Sequence, residues 1–374
     1  AAGKYLIGIF REDGSQVYRY LPRSDAEPNE FNLTRNAGTL YAMACLYTKW
    51  KDKDLLKTMQ RGFQKFIDSY VRSCPQAYDP SKTSKCVWDW GNSNDQRVTK
   101  LGENALIVLA IAQYIESTGD TTYLETAVSI AAWITGAQKE DGSFVQKVTM
   151  PDNVLNEKSY VRYYLGEATF GLTKLYGAVK KLEDGVQVPP EDVVAGWLEA
   201  GTSAANYIIE RDSELSDEEM PIDHWLMYGI AELYRLDHPV PNMLSHGVRT
   251  VQIASSIQFE SNEKDMRGTF GGRTSGTATA TKTEGVCAIY EILEDDHPYK
   301  QSALETITMS VQFQLQEQFR PERAMYMRDP KRVLGGFHNT LAKVDMRNDF
   351  TQHNLCSLLC MERALKERTA GWDT

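Results

Sequence analysis

Nothing in this 374-residue chain runs apolar for the ~20 residues that a membrane-spanning helix needs. Positive charge is in deficit. The 41 Lys and Arg stand against 51 Asp and Glu, a net −10 at pH 7, which argues against nucleic acid or an anionic membrane surface as partner. Histidine is scarce too: His224, His238, His246, His297, His338 and His353 are all there is, with no H-E-x-x-H among them. No C-x-x-C occurs either, so no metal site is expected. No glycine-rich phosphate loop, dinucleotide fingerprint or G-x-S-x-G elbow is present, and no cofactor is expected. The lack of a long Pro/Gly/Ser linker or low-complexity tract leaves residues 1–374 to be read as a single domain.

What is there is a repeat. A polar cluster followed by an apolar stretch recurs six times, at TRNAGTLYAMACLY (from Thr34), KLGENALIVLAIAQY (Lys100), YYLGEATFGLTKLY (Tyr163), IDHWLMYGIAELY (Ile222), TKTEGVCAIYEIL (Thr281) and FTQHNLCSLLCM (Phe350). These stretches are too continuously apolar for surface helices and read as buried inner helices. Amphipathic segments alternate with them at about 55–71, 123–138, 193–209, 242–258 and 299–316. The sixth outer helix is found at the other end of the chain. KYLIGIFREDGSQV, from Lys4, matches AAWITGAQKEDGSFV, from Ala131, down to the Asp-Gly-Ser turn. Pairing this amino-terminal helix with the last inner helix closes a ring, which needs no capping repeats. The expected fold is all-α, an (α/α)6 barrel or toroid.

The six cysteines divide. Cys45, Cys287, Cys356 and Cys360 lie in apolar helix patterns and read as reduced core residues. Cys74 and Cys86 flank the polar loop PQAYDPSKTSK, where a disulfide and two unrelated thiols fit equally well. The start Ala-Ala-Gly without Met is that of a processed or trimmed product, consistent with a removed signal peptide or a cloning boundary. The expected location is periplasmic or secreted, with the cytoplasm left open.

The inner-helix starts carry the polar residues. Asn36, Glu103, Glu167, His224, Glu284 and Gln352 are nearly evenly spaced and should surround one funnel. Carboxylates recur there as Glu103, Glu167, Asp223, Glu284 and Asp349. Singly, each could serve as a helix amino-terminal charge; together, on buried helices, they need partners or a wet cavity. Glu167 and Asp223 are preferred as an acid and base, since Tyr163, Tyr164, His224 and Trp225 surround them. Arg35, Arg97, Lys100, Arg162, Arg273, Lys282 and Arg347 also precede or open inner helices, where the dipole disfavours cations. They either neutralise the carboxylates or bind an anionic substrate; Arg35 and Arg273 are the expected contacts, with Lys282 beside them. Trp88 and Trp90, in a polar loop, suit stacking on sugar faces. The Gly/Thr-rich segment FGGRTSGTATATKTEG, from Phe270, suits close backbone approach to a ligand.

In its repeat of inner-helix starts and its Asp-Gly-Ser turns the chain resembles the (α/α)6-barrel carbohydrate-active enzymes. These include glycoside hydrolases, unsaturated glucuronyl hydrolases, sugar epimerases and alginate-type lyases. The resemblance covers the architecture of essentially the whole chain and assigns no family. It implies an active site in the funnel before the inner helices. No D-x-D-D motif of terpene cyclases and no Cys/His zinc set is present. The expected function is therefore glycoside hydrolysis on an acidic oligo- or polysaccharide, by a carboxylate acid and base. Uronate lyase or epimerase chemistry is the alternative the resemblance implies, with Asn36, Arg35, Tyr163 or Tyr164, and His224 or His353 as its set. A non-catalytic glycan-binding or assembly protein is the third reading.

Overall fold

The computed structural model describes residues 1–90, 97–183, 185–259, 265–270 and 275–370. The chain opens with α1 (Ala2–Gly8), β1 (Arg19–Tyr20), α2 (Leu33–Lys49), α3 (Lys53–Tyr70), β2 (Val71–Pro75), β3 (Thr83–Val87) and β4 (Arg97–Lys100). There follow α4 (Leu101–Thr118), α5 (Leu124–Thr135), β5 (Lys147–Met150), β6 (Val154–Leu155), α6 (Tyr164–Lys180), α7 (Glu191–Ser213) and α8 (His224–Arg235). The last third holds α9 (Met243–Ile257), α10 (Gly276–Tyr290), α11 (Lys300–Gln314), the short α12 (Pro321–Ala324) and α13 (Pro330–Val333), β7 (Met346–Arg347) and α14 (Asn348–Ala370).

The inner helices are α2, α4, α6, α8, α10 and α14. Each packs on the next, and α14 also packs on α2. Helix α4 shows why they form an inner layer: from Leu101 to Ile115 every residue is buried, and Gly119, left-handed at φ 75°, ends it. The outer helices lie between and outside them, α3 against α2, α5 against α4, α7 against α6, α9 and α11 against α10. At the amino terminus α1 packs against α14 and α3.

That turn is a repeated device. Asp13 Oδ1 accepts hydrogen bonds from the backbone N–H and hydroxyl of Ser15, and Asp141 does the same for Ser143. Gly14 (φ 84°) and Gly142 (φ 87°) lie so close to the backbone carbonyls of Arg61 and Ser203 on the next outer helix that a Cβ would collide. Gly268 occupies the same place against Met309, and Gly335 against Ala1. The sequence repeat is plain only in the two Asp-Gly-Ser copies, because the other two keep the backbone shape and not the residues.

Two expectations are corrected. The molecule is not purely helical: small antiparallel sheets sit between helices, β1 with β7, β2 with β3, and β4 with β5 and β6. The loop between Cys74 and Cys86 is the turn of the β2–β3 hairpin, which brings the two cysteines together in a disulfide. Cys287 and Cys360, expected as free thiols, form a second disulfide because α10 and α14 are neighbours and set their Cα atoms 6.3 Å apart. Cys45 and Cys356 are free, as expected. Among the described residues no helix is long and apolar enough to cross a membrane.

Candidate active site

The amino-terminal ends of the inner helices enclose a cavity of about 330 Å³. Arg35, Tyr163, Tyr164, Glu167, His224, Trp225, Asp349, Gln352 and His353, all singled out from sequence, line it. Asn36, Glu103, Asp223, Glu284, Lys282, Trp88 and Trp90 do not, and Arg273 lies outside the described residues. The evenly spaced anchors therefore split. Glu167, His224 and Gln352 face the cavity, whereas Asn36, Glu103 and Glu284 point into the seams between helices.

Each of the hidden residues has a partner that explains it. Asn36 Oδ1 accepts from Asn348 Nδ2 at 2.8 Å, tying α2 to α14. Glu103 Oε1 accepts from Lys100, which also pairs with Asp89; burial pushes the Glu103 carboxyl up to about 8. Asp223 caps α8, accepting from the N–H groups of Trp225 and Leu226, and burial raises its carboxyl to about 7. Trp88 donates its indole N–H to Cys74 Sγ, and Arg97 stands over both Trp88 and Trp90 at 5.3 and 4.6 Å. Lys282 stands over Phe270. Both tryptophans are thus stacked against one guanidinium, and the loop after Trp90 lies outside the described residues.

Inside the cavity, polar atoms are left over. Among the described residues, Glu167 Oε2, both ring nitrogens of His224, Thr277 Oγ1 and Gln352 Oε1 are buried without a hydrogen-bond partner. Buried polar atoms are nearly always paired, so several around one cavity mark a site shaped for a ligand. Glu167 lies against Gly102, where any side chain would displace its carboxyl. Burial, then the charges of Asp223 and Glu103, holds that carboxyl well above the usual carboxylate range. Burial, then His353 and Lys282, holds the His224 imidazole well below its usual range.

The His353 ring packs edge-on against the His224 ring at the cavity wall, centroids 5.2 Å apart and planes at 78°. Its Nδ1 is hydrogen-bonded to Glu284 Oε1 at 2.8 Å, and Glu284 Oε2 accepts from Tyr228. This fixes the ring and leaves Nε2 as its reactive atom. Trp225 packs against His224 at 4.6 Å and Tyr163 at 5.8 Å from it on the other side. Asp349, expected in the acid–base pool, is held otherwise. Arg347 grips it through Nε and Nη2, and Arg35 Nε lies 3.0 Å from its Oδ2. A carboxylate whose oxygens are taken up by two guanidiniums is poorly placed to pass a proton to a ligand.

Arg347, expected among the helix-start cations, lines the cavity too. Sequence reasoning missed Asn32, Thr34, Leu106, Val161, Thr277 and Thr281 as lining residues. One signal was present: Thr277 and Thr281 belong to the Gly/Thr-rich segment.

No protein-family model and no curated protein matches the chain. Solved structures do. A sugar epimerase from a ruminal bacterium superposes with TM-score 0.63 at 14% identity, over 98% of this chain and 96% of the other. A Salegentibacter α-1,6-mannanase gives 0.63 at 10% identity, over 97% of each chain. An unsaturated glucuronyl hydrolase specific for heparin gives 0.58 at 13% identity, over 98% and 97%. These are (α/α)6-barrel carbohydrate-active enzymes. The chain shares their fold.

Proposed function

We propose that this protein is a carbohydrate-active enzyme that moves a proton at a sugar carbon, as an isomerase does. The observation that carries the reading is the pair His224 and His353, 5.2 Å apart on one cavity, the first without hydrogen-bond partners and the second oriented by Glu284. One imidazole removes the hydrogen beside the carbonyl of the open-chain sugar. The C–H electrons form the C=C bond of an enediol, and the carbonyl oxygen takes a proton from the Glu167 carboxyl. The other imidazole, in contact with the first and so on the same side of the sugar, returns a proton to the neighbouring carbon, which isomerises the sugar; Glu167 recovers its proton as the carbonyl re-forms. The fold it shares with a sugar epimerase is consistent with this chemistry.

Glycoside hydrolysis is the second reading, favoured by Glu167 alone: a protonated carboxyl on the cavity is a general acid in waiting. Its weakness is the base, since Asp223 caps a helix away from the cavity and Asp349 is held by two arginines. The two disulfides favour an oxidising, exported location.

Incubating the protein with hexoses, hexuronates and disaccharides in D2O tests the reading. Deuterium at a sugar carbon, seen by NMR, is expected from the native protein, with at least a ~100-fold loss in His224→Ala and His353→Ala. New reducing ends without exchange would transfer the assignment to hydrolysis. Binding with neither would make the protein a glycan binder.

A further inference from the structure

Two guanidiniums share one carboxylate at the cavity wall. Arg347 uses Nε and Nη2 on Asp349; Arg35 uses Nε on Asp349 and Nη1 on the Tyr18 hydroxyl. The hydrogen bonds among the described residues leave Arg347 Nη1 and Arg35 Nη2 over. Asp349 is sealed, its side chain 5% exposed, whereas Arg35 and Arg347 keep 38% and 25% of theirs open. All three line the cavity, and the arginines are far more open to it than the aspartate.

On the lining itself two cations stand with one anion, in a chain of net charge −10. Asp345, which also acts on Arg347, lies outside the lining and is paired with Arg19. Glu167 adds no negative charge to the lining while its carboxyl stays protonated. An arginine does not shed its proton in a protein. Aromatic faces sit beside the pair, Phe350 at 4.4 Å from Arg347 and Tyr18 at 5.9 Å from Arg35, which fixes both planes.

We propose that Arg35 and Arg347 form a fork for the carboxylate of a hexuronic acid residue, with Asp349 as the clamp that holds the fork open. The spacing on α14 gives the depth. Asp349 and His353 are four residues apart on one helix, about 6 Å along its axis. A carboxylate at the fork sets the far side of a single pyranose-sized sugar against the His353 and His224 rings. The substrate is then an acidic sugar, held by its carboxylate at the mouth and worked on at the other end. The second half rests on the proton-transfer reading above; the fork itself does not.

Calorimetric binding separates the two. Glucuronate and galacturonate are compared with glucose and galactose, at low and high salt, on the native protein, Arg35→Gln and Arg347→Gln. The native protein is expected to prefer each uronate at least tenfold, with a preference that shrinks at high salt. Arg35→Gln, at an exposed position, is expected to bring the ratio close to one while leaving the neutral-sugar affinity within about twofold. Arg347→Gln is expected to do the same; should it unfold, Arg35→Gln decides alone. Equal affinity for uronate and neutral sugar in the native protein overturns the fork, as does a preference that survives in Arg35→Gln. Tighter binding of glucose 6-sulfate or 6-phosphate than of either uronate overturns the carboxylate assignment. His353→Ala keeps the uronate preference if the fork is right, even if no sugar exchanges deuterium, so the two proposals fail independently.

Discussion

The starts of α4 and α14 hold the same kinds of residues in opposite proportion. At α4 one lysine, Lys100, lies between two carboxylates, Asp89 and Glu103. At α14 one carboxylate, Asp349, lies between two arginines, Arg35 and Arg347. The first arrangement can be neutralised without help, because a surplus carboxylate takes up a proton: Glu103 is raised to about 8 and so is mostly protonated at neutral pH. The second cannot, because guanidinium does not deprotonate in a protein. One cluster is finished and lies away from the cavity. The other faces the cavity and is left with guanidinium donors for something to meet.

This contrast can be broken by substitution. Asp349→Asn leaves two guanidiniums facing each other without their clamp, and a loss of about 3 kcal/mol in denaturant unfolding is expected, since removing one partner of a buried pair is costly. Glu103→Gln replaces a group that is already mostly neutral at pH 7, so a change of less than about 1 kcal/mol is expected there. If the two variants lose equal stability, the clusters are not different in kind.

A second test sharpens it through pH. Glu103 and Glu317 are raised to about 8 and about 9, each chiefly by burial, while Arg323 opposes the rise at Glu317. The folded state then binds more protons than the unfolded one, so stability contributed by these groups is fully present near pH 4 and is lost as pH rises toward 8 and 9. Over that window each group contributes at most about 1.4 kcal/mol per pH unit. Melting temperature is expected to fall from pH 6 to pH 9, and Glu317→Gln, which removes a buried carboxyl without partners, to flatten the fall. A flat profile in the native protein would show that these carboxyls are not held protonated.

At Gly102 a small effect on the fold goes with a larger one on activity. Alanine there drives a methyl group against the Glu167 carboxyl and the Tyr164 ring. Turnover is expected to drop about tenfold or more, while circular dichroism is unchanged and melting falls by under about 1.5 kcal/mol equivalent. Unchanged turnover would mean Glu167 takes no part in the chemistry.

Much of the architecture was legible in the sequence because burial on all sides leaves a long apolar run, and six such runs can hardly be mistaken. The placement of single side chains was not. Neighbouring helix residues point about 100° apart, so Asp223 and His224 cannot be separated by position alone, yet one caps a helix and the other faces the cavity. Glu284 was read as an acid or base and proves to orient His353, a relation that only the packing of α10 on α14 reveals. The same packing joins Cys287 to Cys360, 73 residues apart. That pair was within reach, since both lie on inner helices that the ring makes neighbours. Arg347 was passed over for Arg273 because a glycine-rich loop looked more like a ligand site than a short strand does. The aspartate two residues on was the better clue.

The measurement that tests the account most directly is a crystal structure of the His353→Ala protein soaked with glucuronate or galacturonate. The sugar is expected in the funnel cavity, its carboxylate hydrogen-bonded to both Arg35 and Arg347, and its opposite end against His224 and the vacated place of the His353 ring. A sugar bound outside the cavity, or one with its carboxylate turned away from both arginines, would contradict it.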